Sequence, residues 1–311
     1  MPALTAFREK WVWYMVLTVL FWGGWAILSK LVTEEMPENH AVFVFTLGAA
    51  SVAVVLLIVK RFRVESNPKG VFYGIANGVV SNTGNLAVFA AFANDPGGHT
   101  SLIATVTGLY PLITVAMAVF ILRERPTGLQ CVGLALVVVA IIFFSQSPEG
   151  TSGDVLTAAG SGPNSPTPPS WLLFAAMAML SFGVVGLLQK LSTNHLSADS
   201  ALTWLIVGFL FFLPAFYPGR LILNYSEHSW ILAFLSGVVN MLGAWTLLAA
   251  MRSGGKASIV VPFTALYPFV VVLAAPRLFD EPILFHQSVG IVCALAATVL
   301  LSMEKVEEAA A

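Results

Sequence analysis

Charge is nearly missing from ten separate blocks of this 311-residue chain. Each block is about 18 to 25 residues long, enough for a helix rising about 1.5 Å per residue to cross the roughly 30 Å hydrocarbon layer of a bilayer. The blocks run from Trp11 to Val32, His40 to Leu57, Gly70 to Phe92, Thr100 to Leu122, Thr127 to Ser145, Trp171 to Leu191, Ala201 to Pro218, Trp230 to Met251, Ala257 to Leu278 and Phe285 to Met303. Only 10% of residues are charged and 58% are hydrophobic, whereas a soluble domain carries roughly 25% charged residues. The composition excludes a soluble fold.

Basic residues set the expected orientation. With the N-terminus in the cytoplasm, only Lys30, Arg220 and Arg277 of the 15 Lys and Arg residues fall outside, which places both termini in the cytoplasm. The first block is too long for a cleaved secretory signal and holds Trp22, Trp25 and Lys30, so it reads as a retained helix. Cys131 and Cys293 each sit in an apolar block and read as buried, inert thiols. The segment 146–170 is rich in Ser, Gly, Thr and Pro with no basic residue, and reads as a flexible external linker.

The two sides of that linker repeat one another. Leu109-Tyr110-Pro111, followed by Glu124, Gln130 and Gly133, recurs 157 residues later as Leu266-Tyr267-Pro268, followed by Glu281, Gln287 and Gly290 (267 − 110 = 157). Gly23, Leu28 and Lys30 recur as Gly183, Leu188 and Lys190, and Gly78-Val79-Val80 with Gly84 recurs as Gly237-Val238-Val239 with Gly243. Five blocks on each side is an odd number, so the second set enters the membrane from the opposite face. The expected fold is therefore all-α and integral to the membrane: ten transmembrane helices in two inverted five-helix repeats (1–145 and 171–303), with a cytoplasmic tail at 304–311.

Ten helices in two inverted halves, each with Tyr-Pro, then Glu beside a proline, then Gln and Gly, resemble the drug/metabolite transporter superfamily, in particular its EamA-type members. The resemblance covers nearly the whole chain and implies alternating access around a cavity lined by the first, third, fourth, sixth, eighth and ninth helices. It is silent on substrate. The small multidrug exporters of that superfamily depend on a carboxylate in their first helix, which this chain lacks.

Helical spacing selects the faces. Polar groups avoid lipid, and Asn77, Ser81 and Asn85 fall at i, i+4 and i+8 on one stripe of the third helix. Ser236, Asn240 and Ala244 match them on the eighth, while Asn82 lies off the stripe and reads as a helix-to-helix bond. Thr18, Trp22, Trp25 and Ser29 form a stripe on the first helix, matched by Ala178, Phe182, Val185 and Gln189 on the sixth. The candidate substrate contacts are Trp22, Trp25, Ser81, Asn85, Tyr110, Gln189, Asn240 and Tyr267, with Trp245 a weaker one. Gly84 and Gly243 read as close-packing positions, and Pro111, Pro262 and Pro268 as hinges, because proline frees a carbonyl one turn earlier. Lys30 and Lys190 read as cations snorkelling to headgroups, with an anion clamp as their functional alternative. Glu124 and Glu281 read as helix-end caps, and His40 and His99 as loop residues.

These residues point to a secondary active or facilitative transporter, an exporter by expectation, in the cell inner membrane. The sparse cavity charge favours a small neutral or zwitterionic metabolite such as an amino acid. The alternatives are an organic anion or phosphosugar exchanger using Lys30 and Lys190, a lipid-linked sugar flippase, and a metal-ion transporter or channel. No enzyme signature, metal motif, cofactor motif or Walker A sequence occurs. The expected partners are the small-molecule substrate and membrane lipids, without nucleic acid or an ATPase subunit, and the chain is expected to act as a monomer or weak homodimer.

Overall fold

A computed structural model describes residues 10–95, 99–121, 128–144, 170–219, 224–254, 260, 263–280 and 283–302. Among these residues all regular structure is helical. The first half holds α1 (Lys10–Thr33), α2 (Glu38–Val59), α3 (Pro68–Ala93), α4 (Thr100–Gly108), α5 (Tyr110–Ile121) and α6 (Gly128–Phe144). The second half holds α7 (Ser170–Thr193), α8 (Ala198–Leu210), α9 (Glu227–Arg252), α10 (Tyr267–Leu278) and α11 (Phe285–Ser302). Four of them, α1, α2, α7 and α9, are long and apolar enough to cross a membrane. Helix α3 matches them in length with 26 residues, but Asn77, Asn82 and Asn85 make it more polar.

Helix ends follow the sequence chemistry. Asn67 caps α3 by accepting from the backbone N–H groups of Lys69 and Gly70, with Pro68 at the first helical position, where its missing donor is harmless. Ser226 caps α9 by accepting from the Ser229 N–H at 3.1 Å.

Two expected spans are corrected. The seventh block is helical only through Leu210 and continues as turns over 211–215. Pro214 lacks an N–H and pushes its predecessor away from the helical region, so Phe212 and Leu213 fall back on carbonyls three residues earlier. The fourth block is not one helix but two, broken at Leu109. Leu109 and its repeat mate Leu266 share a backbone near φ −78°, ψ 6° and φ −76°, ψ −2°, each two residues before the proline. Pro262, Glu124, Glu281 and the linker up to residue 169 lie outside the described residues, so their expected roles rest on sequence.

The helices sort into two bundles, each mixing the halves of the chain. Helix α1 packs on α9 and α10, and α2 packs on α9; correspondingly α7 packs on α3, α4 and α5, and α8 packs on α3. Helices α6 and α11 pack chiefly on each other. Adding the repeat offset to the first set of pairs yields the second, so one packing scheme is used twice.

Glycine makes those pairs close. A Cβ on Gly237 would collide with the carbonyl oxygen of Phe45, and one on Gly78 with that of Leu205. Gly48 meets the Phe234 carbonyl and Gly208 that of Ile75 in the same paired way. Backbones approach this closely only where one side has no side chain, the usual device of membrane helices that lack a hydrophobic drive to associate.

Candidate substrate cavity

A cavity lies between the two bundles. The first bundle supplies Trp22 and Trp25 of α1, Asn240 and Ala244 of α9, and Tyr267 of α10. The second supplies Ser81 and Asn85 of α3, Tyr110 of α5, Phe182, Val185 and Gln189 of α7, and Leu205 and Phe209 of α8. All eight residues picked out as candidate contacts meet here. The room open to the centre of a water-sized sphere is about 50 Å³, several times the roughly 10–15 Å³ that one water needs by that measure.

Rings form one wall. Trp22 and Tyr267 stand edge to face with centroids 6.4 Å apart, Tyr267 lies 6.3 Å from Trp25, Trp25 meets Phe182 edge-on at 6.1 Å, and Phe182 meets Tyr110 at 6.5 Å. Each spacing falls within the favoured range for aromatic pairs. The wall is continuous from one bundle to the other through the Trp25–Phe182 contact. Trp22 Nε1 donates to the Asn240 carbonyl at 3.3 Å, whereas Trp25 Nε1 is buried with no partner among the described residues.

The tyrosines stitch the halves together. Tyr267 shares a hydrogen bond with Thr107 and donates to the Ala104 carbonyl at 3.2 Å, while Tyr110 and Thr264 lie 3.1 Å apart. Thr107 and Thr264 are themselves 157 residues apart (264 − 107), so the repeat motif is Thr-x-Leu-Tyr-Pro and each half binds the other reciprocally. The threonines were available in the sequence but were not matched.

Amides line the rest. Asn85, Gln189 and Asn240 are 2%, 3% and 8% exposed, and among the described residues no protein group bonds their side chains. All three lie on the cavity wall, where their amide groups can bond water or a solute. Ser81 is partly engaged, donating to Asn77 Oδ1 at 3.1 Å. Among the described residues no charged one lines the space.

Other candidates lie elsewhere. Asn82 donates to Thr46 Oγ1 at 3.2 Å and the Phe209 carbonyl at 3.4 Å, bridging helices as its off-stripe position indicates. Thr18 bonds Thr246 at 2.8 Å. Gly84 packs under the Phe182 ring and Gly243 under Trp22. Trp245 is not in the cavity, because its Nε1 donates to Asp199 Oδ1 at 2.9 Å. Lys30 does not reach for headgroups: it is 9% exposed and sits 3.9 Å from Asp95 and 3.7 Å from Glu34. Lys190 is half-buried at the end of α7 and does not line the cavity. Cys131 is exposed rather than buried, as an apolar position on a lipid-facing surface can be. Leu205 and Phe209 were missed; apolar side chains on an apolar helix carry no signal of their own.

Long apolar helices around an uncharged internal cavity define a helical membrane transporter of small molecules. The chain belongs to the EamA-like transporter family, whose profile matches residues 9–146 and 169–303. An uncharacterized protein of Methanocaldococcus jannaschii, MJ1333.1, is 27% identical over 132 residues, covering 42% of this chain and 93% of that protein. A solved crystal structure superposes with a TM-score of 0.63 at 14% identity, covering 94% of this chain and 96% of the other, which establishes the likeness of fold.

Proposed function

We propose that the chain is a ten-span secondary transporter with both termini in the cytoplasm, moving a small neutral or zwitterionic metabolite by alternating access. Its two inverted repeats, 1–145 and 171–303, exchange helices to form the two rocking bundles, and the solute sits between them. The observation that carries the reading is the set of three amides, Asn85, Gln189 and Asn240, in a ring-walled cavity with no charged lining residue among the described residues. Such a lining offers donors and acceptors in both senses but no counter-charge, so a solute with net charge would lose its hydration without replacement. An amino acid satisfies these conditions, its carboxylate taking amide N–H groups and its ammonium the amide oxygens and ring faces. Export is the expected direction, and no ATPase subunit is required.

Thermal unfolding in detergent against amino acids, amines, organic acids, phosphosugars and nucleosides tests this. A true ligand at about 100 times its dissociation constant adds roughly 2.7 kcal/mol of apparent stability. Stabilisation by net-neutral solutes, lost in Asn85→Ala and Asn240→Ala, supports the reading. Stabilisation by phosphosugars alone overturns it.

A further inference from the structure

The first turn of α8 holds Asp199, and both oxygens of its carboxylate are taken by the other bundle. Lys60, directly after α2, brings its Nζ to 2.9 Å from Oδ2. Trp245 of α9 donates its indole N–H to Oδ1, also at 2.9 Å. The helix dipole already favours an acid in a first turn, which accounts for the charge at this position but not for its two partners. Helices α2 and α9 pack together in the first bundle, whereas α8 packs on α3 in the second. Asp199 is thus a three-way junction across the seam.

The connection that follows Lys60 is fastened separately. The Glu65 side chain accepts from the Ser197 backbone N–H at 2.6 Å, its own N–H donates to Ser200 Oγ at 3.0 Å, and its carbonyl accepts from the Trp204 indole at 2.9 Å. All three partners lie at the start of α8, so Glu65 belongs to the second bundle. The chain therefore passes from one bundle to the other within residues 60–64. In that stretch Arg61 and Phe62 have φ of 52° and 57°, left-handed conformations that residues with side chains seldom adopt. Such conformations persist where the surroundings hold them, as the attachments of Lys60 and Glu65 to α8 do here.

We propose that Asp199 is the latch of the cytoplasmic gate: its bonds to Lys60 and Trp245 hold the bundles together at this end, and the cavity opens to the cytoplasm when they break. The proposal rests on the alternating-access reading above, with the termini in the cytoplasm. Rocking α2 and α9 away from α8 parts both partners from one carboxylate, while the Glu65 contacts travel with α8. Residues 60–64 take up the displacement, as a few loop positions do at domain hinges. The side chains of Lys60 and Asp199 are 52% and 27% exposed, so water reaches both groups once they separate and neither is left as a dry charge. The latch biases the gate without locking it.

The test uses the full chain in membrane vesicles of both orientations, right-side-out and inside-out, with Cys131→Ala and Cys293→Ala and a single reporter, Val185→Cys, on the cavity wall. A membrane-impermeant thiol reagent reads access from each side, and the ratio of cytoplasmic to external labelling cancels the reactivity of the thiol itself. Asp199→Ala should raise that ratio about tenfold, the scale set by hydrogen bonds to a charged group. Lys60→Met should raise it by up to about fivefold, as a partly exposed ion pair allows, and Trp245→Phe, which keeps a ring but loses the donor, should move it in the same direction. In the Asp199→Ala background Lys60→Met should add nothing, a non-additivity that general loosening of the fold does not produce. A ratio unmoved by Asp199→Ala, with both sides labelled, overturns the latch and leaves alternating access standing. Labelling from one side alone in every variant overturns alternating access, and the latch with it. Should Asp199→Ala fail to fold, Lys60→Met and Trp245→Phe decide, and a ratio unchanged in both refutes the latch.

Discussion

The inner face of α1 and that of α7 occupy equivalent places in the two halves, yet only part of each is alike. Trp22 covers Gly243 of α9, and Phe182 covers Gly84 of α3 in the same way. Beyond that contact the faces diverge: α1 presents Trp25 and buries Ser29, whereas α7 presents Val185 and Gln189. The halves agree where backbone meets backbone or a ring meets a glycine, and differ where side chains face the cavity. Among the described residues the backbone contacts come in matching pairs, while the cavity lining between them does not.

Four changes would break or sharpen this contrast. The largest effect is expected from Trp25→Ala, which removes a 3% exposed ring and its contacts to Phe182 and Tyr267, costing about 3–5 kcal/mol. Its repeat mate Val185→Ala should cost far less, and comparable losses in thermal unfolding would mean the faces are equivalent after all. Gly78→Ala and Gly237→Ala should each cost about 1–3 kcal/mol and should match, since each Cβ meets a carbonyl oxygen; a clear inequality would show that the scaffold is not used twice alike. Tyr110→Phe and Tyr267→Phe should each lose about 0.6–2 kcal/mol, and a double mutant with the facing threonine should add nothing further. The smallest effect belongs to Lys60→Met, which should leave unfolding and its response between about pH 6 and 9 unchanged, because the raised Lys60 ammonium titrates above that window.

Much of the arrangement was legible in the sequence because lipid penalises polarity. Ser81, Asn85 and Asn240 had to turn inward, and a 3.6-residue period then carried Trp22 and Trp25 to the same space. Where polarity is satisfied locally the rule misleads: Trp245 carries a polar N–H, but a neighbouring helix supplies Asp199 as its partner. The Lys30–Asp95 contact was invisible because it depends on the path of the connection after α3, which has no periodicity. The break in the seventh block was available in Pro214, but an unbroken apolar run outweighed it. Leu205 and Phe209 required the three-dimensional neighbour relation between α8 and α3.

The shortness of α8 has a consequence for the surroundings of the protein. Its 13 residues rise about 20 Å, against roughly 30 Å of hydrocarbon, while its counterpart α2 has 22. The segment that follows carries exposed Phe211 and Tyr217, and the amphipathic ring of Tyr217 is of the kind that settles at headgroup depth. Lipids beside α8 therefore meet a lower wall than lipids beside α2, and the annulus is expected to be thin on one flank and full on the other. Bilayer thickness then becomes a variable of transport, read as activity across vesicles of graded acyl-chain length.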